Sequence, residues 1–237
     1  MIDAIKNEVV RRQITRLCHF TPSRNLIHIA SGEVGLLATD KLEKSERHVF
    51  NPTDLQRLDG HKGFISCSVE YPNAWYFDVA RAKDTLFKDW VVLFINPRYL
   101  WTEGTRFCCR NAAAGRGSEV SEGAEAFMAM FAEQVIGAGG ISFRRTSTRP
   151  ASCPTDDQAE VLVPDRIAIE DIIAIAVSNA TQAKNEAARF KHAKVLRTKY
   201  NLLMAPDLFD KRRLSAMIRE GKRPIETPWP TGQTDDK

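Results

Sequence analysis

The sequence predicts a mixed α+β fold in which short strands make a split sheet flanked by helices. Three observations lead there. Residues 90–95 form an unbroken apolar run, Trp90-Val91-Val92-Leu93-Phe94-Ile95, with the length of a strand buried on both faces. Residues 64–69 and 158–163 read as further strands whose side chains alternate between two faces. Around them lie stretches with apolar residues at helical spacing, and neither a Rossmann glycine fingerprint nor a P-loop is present.

Taken in chain order, residues 2–13 carry Ile2, Ile5, Val9 and Val10 at helical spacing, and residues 17–20 read as a short strand broken by Pro22. A helix is expected over 22–30 with Gly32 near its end, and a strand returns at 34–38. Residues 41–63 are a long charged connection bearing Asn, Pro, Asp and Gly, a loop of the kind that in a compact domain is functional or disordered. After the 64–69 strand, Tyr71-Pro72-Asn73 turns the chain into a helix over 74–82, and the 90–95 run supplies the central strand. A short strand at 106–109 gives way to the small-residue loop 111–117. Residues 122–136 read as one amphipathic helix with Phe127, Met130, Phe131 and Gln134 on related faces, Met128 and Met130 being core filler. A polar loop over 144–157 leads into the 158–163 strand, and the Ile- and Val-rich residues 167–177 suit an adjoining one. Helices are expected at 180–196 and 207–220, followed by a Pro-bearing mobile tail over 223–237.

At 237 residues and 43% hydrophobic composition the chain can bury the core of one large domain, or of one domain with an appendage. Its net charge of +4 neither requires nor excludes a polyanionic partner, so the distribution of charge matters more. Ten Lys and Arg crowd residues 191–223 against Asp207, Asp210 and Glu220, which makes this the basic end of the molecule. Five scattered cysteines without C-x-x-C spacing suggest neither a disulfide frame nor a zinc site, and a reducing cytosol suits them. Residues 1–16 mix charges throughout and no stretch of eighteen apolar residues occurs, so a soluble, cytoplasmic protein is expected, with no membrane partner.

The segment 158–163, Gln-Ala-Glu-Val-Leu-Val, concentrates the chemistry. Alternation puts Gln158 and Glu160 on one strand face, an amide beside a carboxylate, and such a pair can grip a ribose hydroxyl and stabilise positive charge at a sugar carbon. The trio Asp156, Asp157 and Glu160 has the oxygen chemistry of a Mg²⁺ site, but no lysine follows at close strand spacing. His28, His48, His61 and His192 lack ligand spacing, and no metal is expected. Trp75-Tyr76-Phe77 and Trp101 could stack unpaired bases, and Arg144, Arg145 and Arg149 could attract phosphates, although core aromatics and ordinary surface arginines would read the same way.

Four groups in this order carry a family resemblance: His19-Phe20-Thr21 with Asn25, the loop 54–59 ahead of Ile65-Ser66-Cys67-Ser68 with Tyr76 soon after, Asn111-Ala112 after Phe107-Cys108-Cys109, and Gln158-Ala159-Glu160-Val161-Leu162-Val163. Over roughly residues 15–180 the chain resembles the DarT-type ADP-ribosyltransferase toxins, which use NAD to modify bases of single-stranded DNA. The resemblance implies an ADP-ribosyltransferase-like catalytic domain over 1–205, a basic helical extension over 206–223 and a flexible tail over 224–237. It implies that Glu160 is the catalytic carboxylate, that His19, Thr21 and Asn25 contact NAD, and that Tyr76 and Asn111 line the pocket. The family's catalytic arginine aligns loosely, with Arg57 preferred and Arg47 in reserve. Thr21 before Pro22 would also suit a helix N-cap, and Asn111 a turn cap.

The implied function is transfer of ADP-ribose from NAD to a base of single-stranded DNA, by the toxin of a toxin–antitoxin or anti-phage system with a cognate antitoxin as partner. The same chemistry on RNA is an alternative, because the 41–63 segment and the basic C-terminal region depart from the family pattern. A protein acceptor, or a non-catalytic nucleic-acid-binding domain on the same scaffold, is a further alternative.

Overall fold

A computed structural model of the protein describes residues 2–31, 35–42, 59–84, 87–195 and 201–230. The chain opens with helix α1 (Ile2–Arg12), strand β1 (Leu17–Pro22), a 3-10 turn at Ser23–Asn25 and helix α2 (Leu26–Ser31). Strands β2 (Leu36–Leu37) and β3 (Phe64–Val69), helix α3 (Ala74–Lys83), and strands β4 (Trp90–Ile95), β5 (Arg106–Cys108) and β6 (Ser121–Glu122) follow. Helix α4 (Gly123–Ala129) precedes a hairpin of β7 (Gln134–Ile136) and β8 (Ser142–Arg144), then β9 (Glu160–Pro164), β10 (Arg166–Ile167) and β11 (Ile172–Val177). Helix α5 (Ala180–His192), β12 (Asn201–Met204), helix α6 (Lys211–Arg219) and β13 (Thr227–Pro228) complete the α+β fold.

Among the described residues, nine strands make one sheet in the order β13-β12-β11-β4-β1-β3-β9-β5-β6. The split lies at its middle. Strand β1 pairs with β4 along its whole length from Leu17–Ile95 to Pro22–Trp90, but with β3 only at Leu17–Val69 and Cys18–Ser68. Beyond Cys18 the two halves part. The left half carries β11 and β12 as a parallel pair joined through α5, whereas β3, β9, β5 and β6 in the right half are all antiparallel.

Each face of the sheet has its own core, as strand alternation requires. Leu17, Val91, Leu93, Ile95, Val161, Val163 and Ile175 point to one face, where Ile5, Val9, Leu26, Ile29, Phe127 and Phe190 from the helices cover them. Cys18, Val92, Phe94, Ala174 and Ala176 point to the other, under Ala74, Phe77 and Ala80 of α3 and Leu214 and Ile218 of α6. Strand β4 is buried at every position, which explains its unbroken apolar run.

The structure departs from the sequence reading in five places. The strand at 17–20 runs on through Thr21 to Pro22, since a proline at the strand's last position disrupts no inner ladder bond. The helix expected over 122–136 ends at Ala129, and Gln134 lies on β7 instead. The reason is the following turn: a Cβ on Gly137 would stand 2.3 Å from the Phe143 ring, so a glycine lets the hairpin close. The strand expected over 167–177 is two strands divided by a 3-10 turn at Ile169–Asp171. Strand β12 was not foreseen. Within the expected mobile tail, Thr227–Pro228 pairs with Leu203–Met204, and Glu226 forms an ion pair with the buried Arg16.

The loop before β9 buries a carboxylate. Asp156 is 1% exposed; its Oδ1 accepts the Gln158 N–H at 2.9 Å, while among the described residues Oδ2 has no partner. Burial pushes its pKa up to about 6. The folded state therefore holds more protons than the unfolded chain between about pH 4 and about pH 6, and stability falls as pH rises through that window. Asp156→Asn is expected to flatten this fall, adding about 1–3 kcal/mol at neutral pH and little near pH 4. Melting curves of both proteins across the range provide the check, and parallel profiles would overturn it.

Candidate active site

Glu160 is the first residue of β9, 7% exposed, opposite Cys108 on β5 and one step beyond the Cys67–Val161 pair with β3. Its carboxylate accepts from Asn73 Nδ2 on Oε1 at 3.4 Å and from the Ala112 N–H on Oε2 at 3.3 Å. Both stand at the start of a helical turn. Asn73 is the N-cap of α3, its Oδ1 accepting the Tyr76 N–H at 3.0 Å, and its own N–H donates to Ser68 Oγ at 3.0 Å. Asn111 caps the 3-10 turn Ala112–Gly115 by accepting the Ala113 N–H at 2.9 Å, which aims the Ala112 N–H at Glu160. Burial, with the nearby Glu160 carboxylate as a further cause, pushes the Cys108 thiol up to about 11, so this neighbour stays a neutral thiol at physiological pH.

The expected partner of Glu160 on the strand is corrected. Gln158 lies in the turn ahead of β9, outside the strand, and the amide beside the carboxylate belongs to Asn73. Sequence reading took Asn73 for a turn residue only. Asn-x-x-Tyr at the start of a helix is a visible N-cap signal, but nothing local says that the other arm of the amide reaches residue 160.

His19 sits where the sheet divides. Its Nδ1 lies 2.8 Å from the Ser66 carbonyl oxygen, which can only accept, so Nδ1 is the donor in this contact. The ring thus takes over a carbonyl at the point where the β1–β3 ladder stops. Thr21, 3% exposed, does not cap a helix backbone; its Oγ1 accepts from Asn25 Nδ2 at 3.0 Å. Asn25 is 5% exposed and its Oδ1 has no hydrogen-bond partner among the described residues. His19 and Thr21 alternate to the Leu17 face, while Phe20 shares the Cys18 face.

Aromatic rings connect these groups. His19 and Phe20 lie nearly parallel with centroids 6.4 Å apart, and Phe20 meets Tyr76 at 6.1 Å. Tyr76 is on the first turn of α3, three residues past the cap that holds Glu160. The two caps thus bring Tyr76 and Asn111 beside Glu160, His19 reaches Tyr76 only through the Phe20 ring, and Thr21 and Asn25 are bonded to each other at the far end of β1. Arg57 and Arg47 lie outside the described residues.

Other expectations change. Phe77 is fully buried and packs against Phe20 and Trp90, so it is a core aromatic. Arg145 donates to the Cys153 and Pro150 carbonyls, and Arg149, its side chain 5% exposed, to the Pro154 carbonyl and Asp157. Both hold their own loop together. Asp157 is taken by Arg149 and Ser215, and among the described residues no three His, Cys, Asp or Glu side chains are grouped to hold a metal ion. No described helix is long and apolar enough to cross a membrane.

Comparison with known proteins agrees with this fold. The fold is shared with Thermus sp. 2.9 DarT in complex with NAD+, at a TM-score of 0.54 and 15% identity over 84% of this chain and 98% of that one. The same protein in complex with ADP-ribosylated ssDNA matches at 0.53 and 14% identity, over 84% and 97%. Thermosipho africanus DarTG in complex with ADP-ribose matches at 0.54 and 15% identity, over 82% of this chain and 51% of that one. No curated protein sequence matches. The family model described as "ssDNA thymidine ADP-ribosyltransferase, DarT" matches residues 18–209, most of the chain, and the protein belongs to the DarT family of NAD-dependent ADP-ribosyltransferases.

Proposed function

We propose that the protein binds NAD where β1 and β3 part and transfers its ADP-ribose to a base of single-stranded DNA, with Glu160 as the catalytic carboxylate. The observation that carries this reading is a buried carboxylate held between two helical starts, one of which carries Tyr76. The two oxygens of a carboxylate offer about four lone-pair sites. One of these can accept a ribose hydroxyl while the charge faces the anomeric carbon. The bond from that carbon to the nicotinamide nitrogen breaks, and nicotinamide leaves with the electron pair. Oxocarbenium character develops on the ribose, which the fixed negative charge stabilises. A ring nitrogen of the base then bonds to the same carbon, and its proton passes to solvent water.

Binding falls to the β1 end. The buried Asn25 Oδ1 suits an N–H donor of the ligand, such as a carboxamide. His19, held by its Nδ1 contact to the Ser66 carbonyl, borders the ligand from β1. Thr21 holds the Asn25 amide in place, and Tyr76 and Asn111 border the pocket from the two caps. Arg57, with Arg47 in reserve, supplies positive charge near the base. The acceptor is assigned to DNA because the family is described by it, and a neighbour of the same fold carries ADP-ribosylated ssDNA. By the same family likeness the protein acts in the cytoplasm as a toxin restrained by a cognate antitoxin, which removes the mark or covers the site.

Glu160→Gln keeps the shape and the two donors' neighbour but removes the charge. It is expected to lower nicotinamide release and base labelling by roughly 10²–10³-fold with the melting temperature nearly unchanged, and a folded, fully active variant would sink the assignment. Incubation with labelled NAD and matched DNA and RNA oligomers should label DNA alone; labelling confined to RNA, or to protein in a lysate, would replace the proposed acceptor. Arg57→Ala should reduce transfer more than Arg47→Ala in the same assay, and the reverse order would move the arginine role to Arg47.

A further inference from the structure

We propose that helix α6, which lies beyond the family-matched residues 18–209, positions the loop that delivers Glu160, and that Ser215 is the residue through which it acts. The proposal rests on Glu160 being the catalytic carboxylate. Ser215, 2% exposed, sits between two segments distant in sequence. Its hydroxyl donates to Asp157 Oδ2 at 2.6 Å and accepts from Trp75 Nε1 at 2.9 Å. Asp157 is three residues ahead of Glu160, and Trp75 is two residues past Asn73, whose amide donates to Glu160.

The contacts therefore close a ring. From Glu160 it runs through Asn73 into α3, from Trp75 through the Ser215 hydroxyl to Asp157, and back along the chain to Glu160. Arg149 tightens the same corner by donating to the other oxygen of Asp157 at 2.5 Å and to the Pro154 carbonyl at 2.6 Å. The end of α6 grips the loop a second time. Thr148 Oγ1 donates to the Arg219 carbonyl at 2.6 Å, and Gly221, at φ +73°, passes so close that a Cβ would stand 2.6 Å from the Thr148 carbonyl oxygen. Lys211 over the Trp75 ring, at 5.3 Å, and its 2.6 Å bond to Asp78 hold the start of α6 against α3.

A hydroxyl that both accepts and donates makes this link directional, because each bond polarises the next. Trp75 keeps 38% of its surface exposed, so its N–H can turn to water when Ser215 is changed. The loop would then lose its tether to α3 while the core beneath stays packed. Ser215 touches no reacting atom; it sets where the loop stands relative to the carboxylate, and so how well an acceptor in front of that loop is aimed at the sugar carbon.

The test separates transfer to DNA from reaction with water, by measuring base-labelled oligomer and released nicotinamide together. Ser215→Val is expected to lower the ratio of transfer to hydrolysis by roughly tenfold, with the KM for NAD changed less than about twofold, and Ser215→Thr to restore the ratio. Trp75→Phe, which removes the N–H and keeps a ring, should shift the ratio the same way and serves where Ser215→Val does not fold. An unchanged ratio in either folded variant, or an equal loss of both reactions, would overturn the positioning role. Glu160→Gln in the same assay distinguishes the failures: full activity there rejects the site itself, whereas its inactivity beside a native ratio in Ser215→Val rejects only the tether.

Discussion

A buried carboxylate must be surrounded by donors or it does not stay ionised, and Glu160 imposes that requirement on everything near it. Removing such a group from water costs several kcal/mol, which only hydrogen bonds and favourable dipoles offset. The protein answers with two asparagine caps. At residue 73 a single amide does both jobs: Oδ1 fixes the first turn of α3, and that leaves Nδ2 directed at the carboxylate. At residue 111 the cap works at one remove, orienting a turn whose backbone N–H faces the second oxygen. The N-terminal end of α3 adds positive potential of the right sign. Local helix chemistry thus becomes the electrostatics of the site.

The divided sheet serves the same end. A continuous β1–β3 ladder would bury the backbone groups along both strands and leave no room for a ligand between them. Pairing stops after Cys18–Ser68 instead, and each half keeps its alignment because it has packed faces of its own. One carbonyl left at the division, that of Ser66, is met by the His19 ring. A histidine there spares the sheet an unsatisfied acceptor and fixes its own tautomer.

What was legible in the sequence follows from which interactions are local. Strands β3 and β4 and helix α3 could be read because periodicity and an apolar run report burial directly. Glu160 stood out as a carboxylate in a strand that otherwise carries apolar residues. Gln158 was misjudged because a strand's first paired residue is set by its neighbours, here β5 at Cys108, and not by alternation alone. Helix α4 was drawn too long since residues 130–136 keep helical composition, and only the glycines at 137, 139 and 140 mark the hairpin that takes them. Strand β12 is short and polar at its start, and it pairs in parallel through a crossover helix, a long-range event with no local signature. Asn73 and Ser215 were invisible as site residues for the same reason: their partners lie 87 and 58 residues away.

The arginines of the 144–157 loop show why residue type is a weaker guide than partner. Basic residues near a proposed nucleic-acid site invite a phosphate, yet Arg149 is buried on a carbonyl and a carboxylate, and Arg145 spans two carbonyls of its own loop. Guanidinium groups with five fixed donors are well suited to fasten an irregular segment that has no ladder to rely on. The C-terminal residues extend this internal bracing: Glu226 reaches Arg16 at the head of β1, β13 borders β12, and α6 meets the loop before β9. The described end of the chain therefore touches both halves of the divided sheet. On the proposed function, a segment that braces both halves bears on the site between them. Sequence changes far from Glu160 can then alter how the acceptor is presented while leaving the carboxylate and its two donors in place.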